Sequence, residues 1–321
     1  TAHVAGGRGS FNSFLIDGQE SRGARFGESS ILPSPDVVRE FKIQRNLYSA
    51  EYGASPGVIS VSIRNGTNQF HGSAYEFLRN DYFDAPGFFD GGNKPPFRLN
   101  QFGASFGGPI IRDKTFFFGG WESRRQRRAN QAFAQVPDPR QLSGDFSGVA
   151  TALRDPLNNN QPFPGNRIPA DRLSQVAKNF AALGIPAPNT SGTQGNYQGT
   201  PANRDDFDQY HIRVDHTFSS KDSLFGRYSN SEWDLVNPGL TPFRGTSFPL
   251  NGRNIVVQET HIFSPNLINT LKLGFTRNFM ATAFAEVADR NLAEQIGLRN
   301  TETLPADFAL PRMQIAGFGA P

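Results

Sequence analysis

The sequence predicts a mainly β protein, in which a partial α/β domain precedes an incomplete antiparallel up-and-down transmembrane β-barrel of about seven strands. Three observations lead to this fold class. Long segments alternate apolar and polar residues with a period of two, which is typical of strands. Short and long connections follow these segments in turn. The chain also has 30 Phe, 33 Gly and 23 Pro among 321 residues, which indicates aromatic strands separated by irregular loops.

The composition excludes several classes of protein. Cys is absent from the 321 residues, which removes disulfides, thiolate nucleophiles and Cys-based zinc sites. No run approaches the roughly 20 apolar residues of a membrane helix, and the mean hydropathy is -0.48. A helical membrane protein is therefore excluded, whereas a β-barrel is not. The formal net charge of +3 is small for this length, so it does not indicate a nucleic-acid partner.

The first part of the chain, residues 1–68, has the pattern of a small α/β domain. Residues 11–16 form a predicted strand, and the turn dipeptide Asp17-Gly18 follows it. Ser34-Pro35-Asp36 can open a short helix, with Ser as the N-cap and Pro at the first helical position. Residues 58–63 alternate between the two faces of a strand and are β-branched or small. We expect this to be the last strand of the domain.

Seven strands are predicted after this domain. They lie at residues 70–82, 101–110, 114–124, 209–218, 223–233, 254–263 and 270–279. The alternation is clear in the fourth strand, where Tyr210, Ile212 and Val214 share one face. Strands of about 9 to 11 residues are long enough to cross a bilayer when they are tilted.

The connections between these strands differ in length in a regular way. Tight turns are predicted after the second, fourth and sixth strands, at residues 112–114, 219–221 and 264–266. Long loops are predicted at residues 83–98, 125–205, 234–252 and 281–321. An outer-membrane barrel has short turns on its periplasmic side and long extracellular loops. We therefore expect residues 69–321 to be the N-terminal part of such a barrel.

The longest predicted loop, residues 125–205, is expected to have structure of its own, because structureless loops of this length are uncommon. Leu173, Val176 and Phe180 lie at helical spacing, and Gly184 is a stop signal after them. A short amphipathic helix is predicted there. A role in folding the loop over the rim of the barrel is favoured over a role in ligand contact.

Four motifs near the start of the chain carry a family resemblance. They are Ser34-Pro35-Asp36-Val37-Val38-Arg39-Glu40-Phe41-Lys42-Ile43, Tyr48-Ser49-Ala50-Glu51-Tyr52-Gly53, Gly57-Val58-Ile59-Ser60-Val61 and Gly66-Thr67-Asn68-Gln69-Phe70-His71-Gly72-Ser73. The first three resemble the closing half of the plug domain of TonB-dependent outer-membrane receptors. The fourth resembles the Oar-like branch, whose members often carry a carboxypeptidase-regulatory-like domain before the plug.

The resemblance implies an active transporter in the outer membrane of a Gram-negative bacterium. Residues 1–68 would be the C-terminal part of the plug. The full protein would bind a scarce ligand on its outer loops and move it inward when the energised TonB complex pulls on the plug. Single-chain bacterial barrels have even strand numbers, so we expect the chain to be a fragment that is not active alone. The TonB-contacting segment is expected before Thr1.

The alternative function is that of a soluble or surface β-sheet module that binds a carbohydrate or another ligand without transport. It requires that one face of each strand packs into a sandwich core and that connection lengths show no alternation. The sequence does not identify the ligand in either case.

A dense basic cluster follows the third predicted strand. It consists of Arg124, Arg125, Arg127 and Arg128. One interpretation is that the charges simply stay in water at the end of a strand. The other is that they contact phosphates of lipopolysaccharide, because planar guanidinium groups suit phosphate oxygens.

Polar residues on one face of the later strands are candidates for contact with the plug. They are Gln209, His211, Arg213, Asp215 and Lys272. Inward-facing charges of opposite sign need partners when a globular domain fills the lumen. Plug packing is therefore favoured over a role in lining a passage.

No catalytic residue, metal site or cofactor is predicted. His211 and His216 are separated by five residues, so they lie on opposite faces of a regular strand and cannot chelate one ion. No zincin, nucleophile-elbow or EF-hand motif occurs. The chain is therefore not expected to be an enzyme.

Overall fold

The computed structural model of the chain describes residues 12–23, 29, 31–45, 52, 55–88, 94–191, 195–241, 243, 245–285, 291–299, 301 and 310–311. The strands in chain order are β1 (Ser13–Ile16), β2 (Gln19–Glu20), β3 (Val38–Arg45), β4 (Gly57–Ile63), β5 (His71–Asn80), β6 (Phe97–Ile111), β7 (Thr115–Ala129), β8 (Ala132–Ala134), β9 (Arg154–Asp155), β10 (Gln161–Pro162), β11 (Tyr197–Gly199), β12 (Ala202–Ser219), β13 (Asp222–Asn237), β14 (Thr246–Ser264), β15 (Leu267–Met280) and β16 (Ala283–Phe284). The α-helices are α1 (Pro139–Leu142), α2 (Gln175–Gly184) and α3 (Leu292–Gln295).

The first sheet, here called the small sheet, contains four strands in the order β2-β1-β4-β3. β1 runs parallel to β4, and the other pairs are antiparallel. Val58 and Ile59 are neighbours in β4 and point to opposite faces, yet both are buried. β4 is therefore covered on both sides, as its β-branched sequence favours.

The predicted turn at Asp17-Gly18 is confirmed and connects β1 to β2. Both residues have positive φ, 49° for Asp17 and 74° for Gly18. Two successive left-handed residues are typical of the type I′ hairpin turn, whose twist matches that of the flanking strands. The turn directs the Asp17 side chain away from the hairpin and toward the long strands β12 and β13.

The predicted helix start at Ser34-Pro35-Asp36 is wrong. Residues 35–37 form a turn, in which the Val37 N–H donates to the Ser34 carbonyl at 3.1 Å. β3 begins directly afterwards at Val38, so the chain has no room for a helical turn. The capping residues of a helix and of a β-turn overlap, which explains the error.

The second sheet, here called the wall, contains the long strands in the order β15-β14-β13-β12-β7-β6-β5, and β16 pairs with β14. All of its pairs are antiparallel. The prediction of seven long strands in an up-and-down sheet is confirmed. Among the described residues the sheet is open, with β5 and β15 at its edges.

The strands of the wall extend further than predicted at the end with long connections. β7 continues to Ala129 and β12 begins at Ala202, so the limits of the predicted loop 125–205 were too wide. The same holds for loop 234–252, because β13 ends at Asn237 and β14 begins at Thr246. In the extensions of β7 and β12 the apolar alternation stops, and Arg–Asp pairs across the two strands continue the ladder instead.

The other two predicted loops also lose residues to strands. β6 begins at Phe97, inside the predicted loop 83–98. The short strand β16 and the helix α3 lie inside the predicted loop 281–321. The turns between β6 and β7, β12 and β13, and β14 and β15 are short, whereas the connections at the opposite ends of the strands are longer.

The long connection, residues 130–201, carries structure of its own. The predicted helix is present as α2. Its Phe180 is buried against Leu292, Ile296 and Leu310, which follow β15 in the chain. The connection after β7 and the segment after β15 both leave the wall at the end with the long connections. They share a small apolar core. None of the helices in the described part of the chain has the length and apolar character needed to cross a membrane.

The two faces of the wall differ sharply in polarity. Tyr210, Ile212 and Val214 are 43%, 56% and 39% exposed and lie on what we call the outer face. Gln209 and His211 are each 1% exposed and lie on the inner face, which the small sheet covers. The exposed face is therefore the apolar one, which is the reverse of a water-soluble sheet.

The core of the small sheet is completed by the wall. Ile16, Val37 and Ile63 pack together with Phe118, which comes from β7 and is 1% exposed. A Cβ atom placed on Gly120 would lie 2.2 Å from Val37 Cγ1. Gly120 therefore allows the two sheets to approach closely, and the Phe118 ring fills the space beside it.

We expect Phe118→Ala to lower the free energy of unfolding by about 3 kcal/mol, because it leaves a cavity between the two sheets. Phe117→Ala is the matched control, since Phe117 lies next to it on the outer face and is only partly buried. The measurement is equilibrium unfolding of the full-length protein in detergent micelles. Equal losses for the two variants would contradict the role assigned to Phe118.

Candidate functional site at the junction of the two sheets

The junction between the sheets is centred on the carboxylate of Asp17. Its Oδ1 lies 3.1 Å from Arg213 Nη1, and its Oδ2 lies 2.8 Å from Arg227 Nε. Oδ1 also accepts a hydrogen bond from the Ile63 N–H at 3.1 Å. One carboxylate of the small sheet thus pairs with two guanidinium groups of the wall.

Arg213 lies on β12 and connects three groups. Its Nε and Nη2 donate to the two oxygens of Asp215 at 2.9 and 2.7 Å. Its Nη1 reaches Asp17 and the Ile63 carbonyl, the latter at 3.4 Å. The guanidinium carbon lies 4.3 Å from the centre of the Phe225 ring. Contacts on its edges and on its face fix the orientation of this side chain.

Arg227 lies on the neighbouring strand β13, and its side chain is fully buried. Its Nη2 donates to the Ile16 carbonyl of the small sheet at 3.0 Å and to Asn254 Oδ1 at 2.5 Å. Its Nη1 donates to Ser229 Oγ at 2.5 Å. A buried charge is tolerated only with such partners, because its loss of hydration is costly.

The charges of this site balance. Arg213 and Arg227 contribute two positive charges, and Asp17 and Asp215 contribute two negative ones. Removing one member of a buried network leaves an unpaired charge, which typically costs about 3 to 5 kcal/mol. The junction therefore depends on all four side chains.

A second set of polar contacts ties β2 to the far side of the wall. The Glu20 carbonyl accepts hydrogen bonds from Thr276 Oγ1 at 2.5 Å and from Asn254 Nδ2 at 3.1 Å. Gln19 Nε2 donates to Thr276 Oγ1 at 3.3 Å, and Asn278 Nδ2 donates to the carbonyl of Arg22, which follows β2, at 3.2 Å. The small sheet is thus bonded to four neighbouring strands, β12 to β15.

A third polar group lies within the wall itself, around the buried Glu122. Tyr75 Oη donates to its Oε2 at 2.6 Å, and Gln101 Nε2 approaches the same oxygen at 3.3 Å. Gln209 Nε2 donates to its Oε1 at 3.2 Å. These bonds link β5, β6, β7 and β12 on the inner face.

The comparisons with known proteins agree with this architecture. Residues 62–321 match the family described as outer membrane beta barrel domain. The chain belongs to this family.

The chain is similar to one curated transporter and to solved structures of outer-membrane proteins. It is 33% identical over 119 residues to the TonB-dependent transporter Oar of Myxococcus xanthus, a match that covers 34% of this chain and 11% of the transporter. The solved structure of the outer membrane transporter YddB from Escherichia coli superposes with a TM-score of 0.56 at 10% identity, over 87% of this chain and 32% of YddB. The siderophore receptor PiuA from Acinetobacter baumannii gives a TM-score of 0.41 at 10% identity, over 86% of this chain and 39% of PiuA.

These matches place the outer-membrane β-barrel chain in the bacterial outer membrane and relate it to TonB-dependent transporters, not to enzymes. The chain spans 11% of the length of Oar and 32% of the length of YddB. The fold is therefore that of the transporters.

The predicted plug-facing residues lie on the inner face of the wall, but they contact different partners. Arg213 contacts the small sheet directly, and Asp215 pairs with Arg213. Gln209 bonds to Glu122 as described, and His211 Nδ1 lies 2.8 Å from a Ser hydroxyl of β13, so both bond within the wall. The Lys272 ammonium lies beside the turn of the small sheet, where a Cβ on Gly18 would be 2.3 Å from Nζ.

Strand alternation splits the predicted basic cluster of the outer-membrane β-barrel between the two faces. Arg125 and Arg127 lie on the outer face and pair with Asp208 and Asp206 of β12, at 2.7 and 2.5 Å. These aspartates lie on the neighbouring strand but some 80 positions further along the chain. The sequence alone therefore shows the arginines but not the aspartates that pair with them.

Arg124 and Arg128 lie on the inner face. Arg124 Nη2 is 2.9 Å from Asp205, and its guanidinium lies 5.4 and 5.7 Å from the ring centres of Phe207 and Trp233. Arg128 is exposed beside the cleft between β5 and β7. The cluster is thus mostly a set of cross-strand ion pairs.

Within the described part of the chain, one group of side chains has the geometry to hold a cation. Asp222, Glu259 and His261 offer ligand atoms within 4.8 Å of one another, and the His261 ring nitrogen Nδ1 bonds to the Asp222 carboxylate. Carboxylate and imidazole ligands suit several divalent metals. The sequence analysis missed this group because its members come from two strands, whereas His211 and His216 of one strand face opposite sides.

The long connection is held by ion pairs of its own. Arg172 donates to both oxygens of Asp155, at 2.6 and 3.0 Å, and these hydrogen bonds hold the pKa of Asp155 below its usual value. Hydrogen bonds from Ser147, together with the charge of Arg167, lower the pKa of Asp145 to about 2. These contacts therefore favour the ionised form of both carboxylates.

Several residues of the junction escaped the sequence analysis. Arg227, Asn254 and Thr276 all lie at inner-face positions of the period-two pattern. That pattern is the signal that would have found them, because a polar side chain at an inner position needs a partner. For Asp17 the sequence shows only the signal of a turn residue.

We expect Asp17→Asn in the full-length outer-membrane β-barrel to lower the free energy of unfolding by about 3 kcal/mol, because it leaves two arginines facing one neutral amide. Asn tolerates the positive φ of this position, so the change removes the charge without adding backbone strain. The measurement is chemical unfolding of the purified protein, with hydrogen exchange of residues 13–20 as a local probe.

The matched control is Asp84→Ala, which breaks an exposed ion pair with Arg79. Exposed pairs of this kind contribute about 0 to 1 kcal/mol. The central role of Asp17 is refuted if the two variants lose the same stability.

Proposed function

We propose that the chain is part of a TonB-dependent outer-membrane receptor that takes up a scarce ligand by active transport. Residues 1–68 are the C-terminal part of a plug, and residues 69–321 are the N-terminal part of the barrel. The observation that supports this most directly is the buried carboxylate of Asp17, shared by Arg213 and Arg227. It docks a separate small sheet against the inner face of a barrel wall.

The polarity of the junction supports a plug that moves. The wall contributes mostly polar side chains to it, namely Arg213, Arg227, Asn254, Thr276 and Asn278. When such contacts separate, water can replace each hydrogen bond, so the net cost is about 1 kcal/mol for each neutral bond and about 1.5 to 3 kcal/mol for each bond of an arginine. An apolar interface would instead cost about 25 cal/mol for each Å² exposed.

The long connections are the proposed ligand-binding side. They leave the wall at one end of its strands. The packing of Phe180 and the Asp155–Arg172 pair fold the segment of residues 130–201 before a ligand binds. A preorganised loop loses less conformational entropy when a ligand binds. In this orientation the short turns face the periplasm, where the TonB complex acts on the plug.

The alternative of a surface or soluble β-sheet module, which binds a carbohydrate or another ligand without transport, is not supported by the described residues. It requires the apolar face of the wall to pack into a sandwich core. Ile212 and Leu273 on that face are instead 56% and 65% exposed, and in the described part of the chain no second sheet covers them.

The proposal is tested by comparing three strains of the source bacterium: the parent, one that lacks the full-length receptor and one that lacks TonB. Each strain grows in the same medium, and mass spectrometry follows the loss of compounds from it. We expect at least one compound to be consumed by the parent and retained by both deletion strains. The proposal fails if no compound depends on both genes.

A cross-link tests whether the small sheet must move. A Cβ on Gly274 would lie within 2 Å of the Gln19 side chain, so Gln19→Cys and Gly274→Cys can be joined by a short reducible thiosulfonate linker. Uptake of the identified compound should stop on cross-linking and return on reduction. Gly226→Cys with Val257→Cys joins two wall strands and is the control. Normal uptake in the locked receptor would exclude movement of the small sheet.

A further inference from the structure

Two arginines face each other on the outer face of the wall. Arg253 of β14 and Arg277 of β15 are direct partners in the antiparallel ladder. Both side chains are exposed. Like charges placed directly opposite each other in a sheet repel and destabilise it, so this pair calls for a negative partner.

The described residues do not provide that partner. None of the ion pairs or side-chain hydrogen bonds among them involves Arg253 or Arg277. Glu232 lies nearby, opposite Asn251, and its carboxylate is 3.5 Å from Asn230 Nδ2. In contrast, Arg125 and Arg127 on the same face each have an aspartate.

The pair also lies at a boundary. Toward the short turns, the next outer-face residues are Ile255 and Val257 on β14 and Phe275 and Leu273 on β15, all of which are exposed and apolar. In an outer-membrane barrel such a band contacts the hydrocarbon of the lipids. The arginines therefore lie where the band ends on the side of the long connections.

The same two arginines line a shallow cavity of about 240 Å³ together with Asn251 and Phe279. The cavity thus combines two guanidinium groups, one amide and one aromatic ring. A guanidinium group can donate two parallel, charge-assisted hydrogen bonds to the oxygens of one phosphate. The amide can add a further donor, and the ring offers an apolar surface to the rest of a lipid.

We propose that Arg253 and Arg277 bind a phosphate group of lipopolysaccharide, the glycolipid of the outer leaflet. This site replaces the cluster of Arg124, Arg125, Arg127 and Arg128 as the candidate for lipopolysaccharide binding. Three arginines of that cluster are paired with aspartates. Arg253 and Arg277 have no such partner among the described residues. An anion held between the arginines removes their mutual repulsion. The inference is independent of the transported ligand.

The test uses the full-length receptor purified from outer membranes in mild detergent, with mass spectrometry of the lipopolysaccharide that remains bound. Arg253→Gln with Arg277→Gln should lower the retained amount about tenfold or more, since one charge-assisted hydrogen bond changes a binding constant by at least about that factor. Arg125→Gln with Arg127→Gln removes the same charge from the same face and should change retention less than about twofold.

Rebinding distinguishes the sources of phosphate. Receptor stripped of lipid is exposed to lipopolysaccharide, to the same lipopolysaccharide after enzymatic removal of its lipid A phosphates, and to inorganic phosphate. We expect binding of the first only. Equal binding of the dephosphorylated lipid, or binding of inorganic phosphate as tight as that of the lipid, would overturn the proposal.

Folding is checked by the heat-dependent mobility of the barrel in gel electrophoresis. If the double Gln variant does not fold, Arg253→Lys with Arg277→Lys keeps both charges and removes the paired guanidinium geometry. This variant should fold and retain several-fold less lipopolysaccharide than the parent receptor. Unchanged retention in either folded variant, or an equal loss in the variant of Arg125 and Arg127, would also exclude the site.

Discussion

The sharing of one buried carboxylate by two arginines is the constraint on which the rest of the structure depends. Asp17 stands in a tight turn whose two residues both have positive φ, and the turn brings its oxygens to Arg213 and Arg227. These arginines fix which face of β12 and β13 is the inner one. Because side chains alternate along a strand, the apolar residues between them must then point outward.

The placement of polar and apolar side chains follows from this choice. Tyr210, Ile212 and Val214 remain exposed, whereas Gln209 and His211 are buried. In water such a sheet would lose hydrophobic stabilisation on one side and hydration on the other. In a membrane, lipid covers the apolar face, and on the inner face the small sheet supplies both apolar contacts and hydrogen-bond partners. The membership of the chain in an outer-membrane family and the chemistry of its faces thus explain each other.

The sequence predicted what depends on local pattern and missed what depends on pairing. Period-two alternation gave the seven long strands, and helical spacing gave α2. The ends of β7 and β12 were missed because the ladder continues there through Arg–Asp pairs instead of apolar alternation. Of the junction, Arg213 was found from its face, but its partner Asp17 stands almost 200 positions earlier and carried only a turn signal. Ser34 was misassigned because caps and turns use the same residues.

The arginines show why partners matter more than sequence density. Arg125 and Arg127 belong to the densest basic run, yet each is neutralised by an aspartate that becomes its neighbour only when β12 pairs with β7. Arg253 and Arg277 are isolated in the sequence and become adjacent only when β14 pairs with β15. Pairing of strands thus cancels one charge cluster and creates another. The second, which no aspartate neutralises in the described part of the chain, is the one that can bind an anion from outside.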